Sequence, residues 1–195
     1  MKVDYIKHNY HFETLSDEHD VSGFESDSED LNNFLKNDAL NQQKRKLNLT
    51  KLVICDGEIV GYVSLLADTI SLKDIHEEYL IKDIKDQLHV TSRKSRVPAV
   101  KIGRFAVDKK YAGQGLGSHI LMNVFFNVKC IAETDGGLRF VTVDGYAKAL
   151  NFYIGHHCFK NLKKDDEKIR NDLDKIIERD PNHTFYLYFN LNILE

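Results

Sequence analysis

Val100, Ile102, Phe105, Ala106 and Val107 form an apolar, β-branched and aromatic run that leads into Gly113, Gly115 and Gly117, spaced at every second position. Glycines there permit positive φ and leave no Cβ between the backbone N–H groups and an incoming anion. From Ser118 onward, Ile120, Leu121, Val124 and Phe125 repeat at helical spacing, which places the loop amides at the N-terminus of an amphipathic helix. Unpaired donors and the helix dipole favour negative charge at such a terminus. The chemistry this segment suits is holding a phosphate or pyrophosphate. The same glycines also serve a plain tight turn, so their surroundings must decide.

Spacing removes two other phosphate binders. A nucleotide-triphosphatase loop ends in Gly-Lys-Ser/Thr, whereas Gly115-Leu-Gly-Ser118 has no lysine in that place. A dinucleotide fingerprint needs a third glycine three residues after the second. Counting from Gly115 finds Ser118, and counting from Gly117 finds Ile120.

Other elements must position this loop. Leu31, Phe34 and Leu35 stand at i, i+3 and i+4 behind Ser and Asp residues suited to capping, predicting a helix from about Ser28 to Lys46. Thr50–Cys55 and Ile59–Leu66 read as strands joined by Asp56-Gly57, a hairpin signal. The 99–107 run is a further strand, with Gly103 marking a bulge or a close ligand approach. Leu138–Val143 reads as a strand, Ala147–His156 as a helix, 165–179 as a charged helix with Ile169, Leu173 and Ile176 inward, and Thr184–Leu191 as a buried strand. Between Ser71 and Val90, the residues Leu72, Ile75, Tyr79, Leu80, Ile84 and Leu88 recur at roughly helical spacing, predicting an amphipathic insert. His8 and His11 fall on an early strand-like run.

These residues resemble the GNAT N-acetyltransferase superfamily, whose pyrophosphate loop follows Gln/Arg-x-x-Gly-x-Gly/Ala between the fourth strand and the next helix. Gly115-Leu116-Gly117 fill the last positions, but Ala112 stands where the family places Gln or Arg, and Gln114 lies two places along. The Asp-Leu-x-x-Phe-Leu pattern ending at Leu35, the hairpin and the 97–108 strand look like the branch that includes bacterial toxin acetyltransferases. The resemblance runs from about Phe24 to Phe159. It implies an α/β (α+β) fold, a mixed and mostly antiparallel sheet of six to seven strands flanked by helices. It further implies one domain over 1–195 with a helical insert at about 68–96.

The resemblance also implies a chemistry. Acetyl-CoA is the expected donor, contacted by Phe105, Ala106, Val107, Ala112, Gly113, Gln114, Gly115, Leu116, Gly117 and Ser118, with the Ala106 and Val107 backbone facing the oxyanion. Ala149, Phe152 and Tyr153 match the family's Ala-x-x-Phe-Tyr, which makes Tyr153 the residue that protonates the departing thiolate. Tyr146 stands where many relatives have Asn, and Cys158-Phe159 replaces the usual Gly-Phe. The expected function is acetyl transfer to a primary amine by direct attack through a tetrahedral intermediate. One alternative is toxin-like acetylation of aminoacyl-tRNA with an antitoxin partner. A second is a non-catalytic acyl-CoA-binding module.

Reference acidities constrain that chemistry. A phenol of pKa ~10 is a weak donor to a thiolate of ~8.5, which favours concerted donation. An acceptor α-amino group near ~7.7 needs far less deprotonation than a lysine near ~10.4. The 99–107 strand offers no general base, because its ionisable residues are Lys101 and Arg104; Asp108 reads as a turn former or cap.

Composition bounds the remainder. The chain has 195 residues, 42% of them apolar, enough for one substantial core. Met1-Lys-Val-Asp-Tyr-Ile-Lys7 is too charged for a signal peptide, and no apolar run is long enough to span a membrane, so a cytoplasmic location is expected. Three scattered cysteines argue against a disulfide framework; Cys55 and Cys130 read as core thiols. Cys158 follows His156 and His157, yet no third ligand is spaced to complete a metal site. The net charge of −3 gives no whole-molecule pull on nucleic acid. Local basic clusters at Lys44-Arg-Lys46 with Lys51, and at Arg93, Lys94, Arg96 and Lys101, suit either tRNA phosphates or plain solvation. Oligomeric state is open, with room for a homodimer.

Overall fold

The computed structural model describes residues 1–163 and 166–194. Seven strands form one sheet in the order β1-β2-β3-β4-β5-β7-β6. The strands are β1 (His11–Thr14), β2 (Leu49–Cys55), β3 (Glu58–Ser71), β4 (Arg96–Val107), β5 (Phe140–Tyr146), β6 (Lys160–Asn161) and β7 (Thr184–Asn190). The α-helices are α1 (Val3–Asn9), α2 (Glu29–Asn33), α3 (Ala39–Lys44), α4 (Glu78–Leu88), α5 (Leu116–Thr134) and α6 (Asp166–Arg179). The expected mixed, mostly antiparallel sheet flanked by helices is present, and the glycine loop lies between β4 and α5. Contacts divide the chain into two compact units. One comprises Met1–Ala67 and Ile102–Val124; the other comprises Asp68–Lys101 and the chain from Phe125 onward.

In the first unit, β1 pairs antiparallel with β2, and β2 with β3 through the Asp56-Gly57 turn. Both turn residues have positive φ, 48° and 77°, as a tight hairpin requires. The predicted helix over 28–46 forms in three pieces. Ser28 caps it, its Oγ accepting from the Leu31 N–H at 3.5 Å, and a π-turn at Phe34–Asp38 separates α2 from α3. Phe34, Leu35 and Ala39 are buried with Leu15, Phe24, Leu52, Tyr62 and Ala106 in one apolar cluster. The Tyr62 hydroxyl donates to the Leu31 carbonyl at 2.8 Å, which satisfies the one polar atom the ring brings inside. Gly61 is required by crowding, since a Cβ on it would meet the Ala106 carbonyl at 2.9 Å; one on Gly103 would meet the end of the Leu66 side chain, Cδ2, at 2.6 Å. The crowding at Gly103 comes from a neighbouring side chain, whereas the sequence predicts a bulge or a close ligand approach.

The second unit packs α4 through Leu80, Ile81 and Ile84 against Ile70, Leu72, Ile75, Val97 and Phe140. The amphipathic helix foreseen here forms, with two differences. Strand β3 continues five residues past Leu66, to Ser71, and Tyr79 and Leu88 face solvent, Tyr79 at 82% exposure. The helical stripe is set by the face that meets the sheet, and Tyr79 lies off that face. Strand β7 lies between β5 and β6, pairing antiparallel with both. Helix α6 buries Ile169 alone, Leu173 and Ile176 being half-buried, and Asp165, where that helix was expected to begin, lies outside the described residues.

Three smaller expectations need correction. His8 sits in α1, where Val3 and Ile6 at i, i+3 supply a buried helical face, and only His11 is on a strand. Cys55 is buried as expected, but Cys130 is exposed, because its position on α5 turns away from the packed face. The Ala147–His156 helix opens with a 3-10 turn at Ala147–Ala149 and continues as a π-turn at Asn151–His156.

Candidate functional site

The glycine loop begins where β4 ends, and that junction is held from several sides within the first unit. Asp108 is buried; its Oδ1 accepts from the Lys110 N–H at 3.0 Å and its Oδ2 from the Glu25 N–H at 3.3 Å. The bond from Lys110 makes Asp108 a cap for the 3-10 turn Lys109–Tyr111, in line with its sequence reading and not with a role as base, and the bond from Glu25 ties that turn to the N-terminal segment. Glu58, the first residue of β3, accepts from Lys110 Nζ at 2.9 Å and from the Tyr111 hydroxyl at 3.0 Å. The bond from Lys110 is the main reason the Glu58 carboxyl is held below its usual pKa. Lys109 forms an ion pair with Glu25 and likewise lowers its carboxyl. Both lysines that precede the loop are therefore committed to carboxylates.

Beyond this anchored turn, Gly113 and Gly115 adopt φ of 71° and 78°, a region in which side chains are strained. Helix α5 starts at Leu116, and its first backbone bond runs from the His119 N–H to the Gly115 carbonyl. The N–H groups of Leu116, Gly117 and Ser118 thus belong to the first turn, which a helix leaves without internal partners. Positive φ at Gly113 and Gly115 turns the backbone into this terminus, as an oxyanion-binding concavity needs. Phe105, Ala106 and Val107 end the strand that feeds this loop, so all ten residues expected at the cofactor lie on one continuous strand–loop–helix segment in one unit.

The side chains around the loop are less obvious from sequence. Gln114, displaced from the family's polar position, donates through Nε2 to the Lys110 carbonyl at 3.3 Å and so folds back on its own turn. Lys7 of α1 stands close to the loop: its Nζ lies 3.7 Å from where a Cβ on Gly115 would be. Helix α1 is held there by burial of Val3 and Ile6. The next residues are fixed as well. Asn123 donates to the Tyr10 hydroxyl, and the Tyr10 ring meets His119 edge-on at 5.7 Å. Nothing in the sequence around Lys7 signals this proximity, because Gly115 lies 108 positions further along the chain. Arg104, on β4, stacks over Phe34 at 5.2 Å, and its Nε lies 3.8 Å from Asp30.

Tyr153 belongs to the second unit. It is 8% exposed, its ring set edge-on against Phe152 and Phe159 at 5.1 and 5.4 Å, and burial pushes its pKa up to about 12. Gly145 packs closely beside it, and a Cβ there would stand 3.1 Å from the Tyr153 ring. The Tyr153 carbonyl accepts from both the His157 and Phe159 N–H groups at 3.2 Å, closing the π-turn. Cys158 then takes φ of 55°, the left-handed position that a glycine fills without strain. The family's Gly in this place thus has a conformational reason, which Cys158 does not satisfy.

Sequence reading missed a polar cluster in the same unit. Asp68 Oδ2 accepts from Thr142 Oγ1 at 2.6 Å and from the Tyr186 hydroxyl at 2.5 Å. Burial works to raise the Asp68 carboxyl, but these bonds outweigh it and hold it below its usual value; burial and the same carboxylate push Tyr186 well up. Lys101 pairs with Asp144 and lies 5.2 Å over the Tyr186 ring. A pocket of about 250 Å³ opens beside this cluster, lined by Asp144, Lys163, His183 and Tyr186 among others. No group of three or more His, Cys, Asp or Glu residues suited to a metal occurs among the described residues.

Comparison with known proteins gives concordant matches. The model of the acetyltransferase (GNAT) family matches residues 11–156. A tRNA-acetylating toxin of Mycobacterium tuberculosis is 28% identical over 142 residues, which is 72% of this chain and 78% of the toxin. The structure of AtaT complexed with acetyl-methionyl-tRNAfMet has a TM-score of 0.72 at 20% identity, covering 95% of this chain and 97% of that one. A mutant AtaT toxin bound to the C-terminus of the antitoxin AtaR and acetyl-CoA has a TM-score of 0.66 at 20% identity, with 96% of each chain covered. The two structural likenesses establish the fold.

Proposed function

Since the chain belongs to the acetyltransferase (GNAT) family, we propose that it transfers an acetyl group from acetyl-CoA to a primary amine by direct attack through a tetrahedral intermediate. The observation that carries this reading is the pair of positive-φ glycines, Gly113 and Gly115, placed at the open N-terminus of α5 within the matched region. Backbone donors of the loop and first turn hold the pyrophosphate, with Ala112, Gln114, Leu116 and Ser118 lining its course and Phe105 at the strand end. The Ala106 and Val107 backbone stabilises the oxyanion. In this reading the whole chain acts as one acetyltransferase domain.

Tyr153 is the proposed general acid. With its pKa at about 12 and a free thiol near ~8.5, stepwise proton transfer to the thiolate is uphill by about 5 kcal/mol. The proton must therefore move as the C–S bond breaks, when charge on sulfur is partial and burial strengthens the bond between them. The lack of a dedicated base on β4 favours an acceptor whose amine gives up its proton at little cost near pH 7. An α-amino group meets that requirement and a lysine does not.

The acceptor we propose is accordingly the α-amino group of an aminoacyl-tRNA, with an antitoxin protein as partner and the cytoplasm as the site of action. Support comes from the M. tuberculosis relative, a tRNA-acetylating toxin, and from AtaT, solved with acetyl-methionyl-tRNAfMet and, separately, with AtaR and acetyl-CoA. Purified protein should block a cell-free translation system only when acetyl-CoA is added, and aminoacyl-tRNA recovered from it should carry an N-acetyl group. Undisturbed translation with acetyl-CoA present rules out the tRNA acceptor. If calorimetry also detects no acetyl-CoA binding, acetyl transfer itself fails.

A further inference from the structure

We propose that Lys7 is the cation of the pyrophosphate site, replacing from α1 the Gln or Arg side chain that the loop lacks at Ala112. This rests on the acetyl-CoA reading above and adds to it the residue that neutralises the diphosphate.

The loop supplies backbone donors but almost no charge of its own. Ala112 ends in a methyl group, and Gln114 is turned back onto the Lys110 carbonyl. Lys109 and Lys110 are bound to Glu25 and Glu58. Lys7 is different. Its Nζ stands 3.7 Å from the Cβ position of Gly115, at the point where the backbone turns into α5. Its own ion pair, with Asp4 at 3.6 Å, is loose, and that carboxylate is 92% exposed, so it competes weakly for the ammonium. Asp4 and Lys7 are the only ion pair recorded for either residue among the described residues.

The placement is also rigid. Val3 and Ile6 bury the inner face of α1, the Tyr10 N–H bonds to the Ile6 carbonyl at 3.0 Å, and Tyr10 engages Asn123 and His119 on α5. The Lys7 stem thus leaves a fixed backbone, and only its terminal rotors must settle when a diphosphate arrives. A lysine acts on phosphate as a point charge and needs no planar fork, which suits approach from a separate helix. The geometry makes this a specificity device as well, because the ammonium favours a doubly charged diphosphate over a neutral ligand.

The test is a calorimetric titration of acetyl-CoA into the intact protein, comparing wild type, Lys7→Gln, Lys7→Arg and the double variant Lys7→Gln with Ala112→Arg. Thermal unfolding without ligand establishes that each is folded. Lys7→Gln is expected to weaken binding roughly tenfold and to flatten its dependence on salt, as loss of one charge-assisted bond implies. Lys7→Arg should stay within about threefold of wild type. Arginine at 112, the side chain that relatives place there, should restore most of the loss in the Lys7→Gln background. Equal affinity of wild type and Lys7→Gln, or a loss that neither Lys7→Arg nor Ala112→Arg recovers, overturns the role of Lys7 and leaves the acetyl-CoA reading standing. Absence of binding by the wild type overturns both.

Discussion

Two buried side chains in the second unit carry opposite electrostatic consequences. Tyr153 keeps its proton more tightly than a free phenol, because its anion would be desolvated. In the proposed acid role it is a donor committed to one geometry, and removing the hydroxyl should change the chemical step without changing affinity. Tyr153→Phe is expected to lower kcat about a hundredfold with the acetyl-CoA Kd unaltered, read by thiol release beside calorimetry. An unchanged kcat would exclude the acid role. His157 is 4% exposed, lies 4.7 Å from the Phe152 ring, and neither ring nitrogen has a hydrogen-bond partner among the described residues. Burial, together with His156 nearby, holds its pKa below the usual value. Folding thus favours the neutral ring. That contribution is complete above the unfolded pKa of ~6.5 and is lost as pH falls through the lower folded value. Urea midpoints at pH 7.5 and pH 5 should therefore converge in His157→Leu relative to wild type.

Elements position the site through tight backbone approach. A methyl group at Gly61 would press on the Ala106 carbonyl, a backbone atom that cannot rotate aside. Gly61→Ala should cost about 1–3 kcal/mol in urea denaturation and disturb the strand proposed to hold the oxyanion. Gly103→Ala meets the end of the Leu66 side chain, which has rotamers available, and is expected to cost less than Gly61→Ala. Helical spacing revealed where the segments at 28–46 and 147–156 run, but not their π-turns. A π-turn changes the hydrogen-bond register by one residue while leaving the apolar pattern nearly intact, so periodicity cannot see it. The extension of β3 to Ser71 was hidden for a related reason: Asp68 interrupts the apolar alternation, and its charge is met by Thr142 and Tyr186 from other strands.

Across the whole molecule, a net charge of −3 opposes a polyanionic cofactor, so attraction must be local. The proposed site at the α5 terminus, with Lys7 beside it, is placed to supply that attraction. Acetyl-CoA at a hundred times its Kd should raise unfolding stability by about 2.7 kcal/mol, visible as a shift in the denaturation midpoint. A midpoint that ignores the ligand contradicts the acetyl-CoA reading. No helix among the described residues is long and apolar enough to cross a membrane.

By itself the sequence determined the strand–glycine–helix segment, the Asp56-Gly57 hairpin and the amphipathic helix between Ser71 and Val90, and it supplied the motif on which the proposed role of Tyr153 rests. Each of these is encoded locally, by periodicity, by turn residues that tolerate positive φ, or by a short motif. Only the tertiary structure decided which charges surround the loop. Lys109 and Lys110 flank it in sequence yet are drawn to Glu25 and Glu58, while Lys7, remote in sequence, stands beside Gly115. Chain neighbours share a backbone, but a charge acts through space, and the partner it finds is fixed by which strands and helices the buried residues bring together.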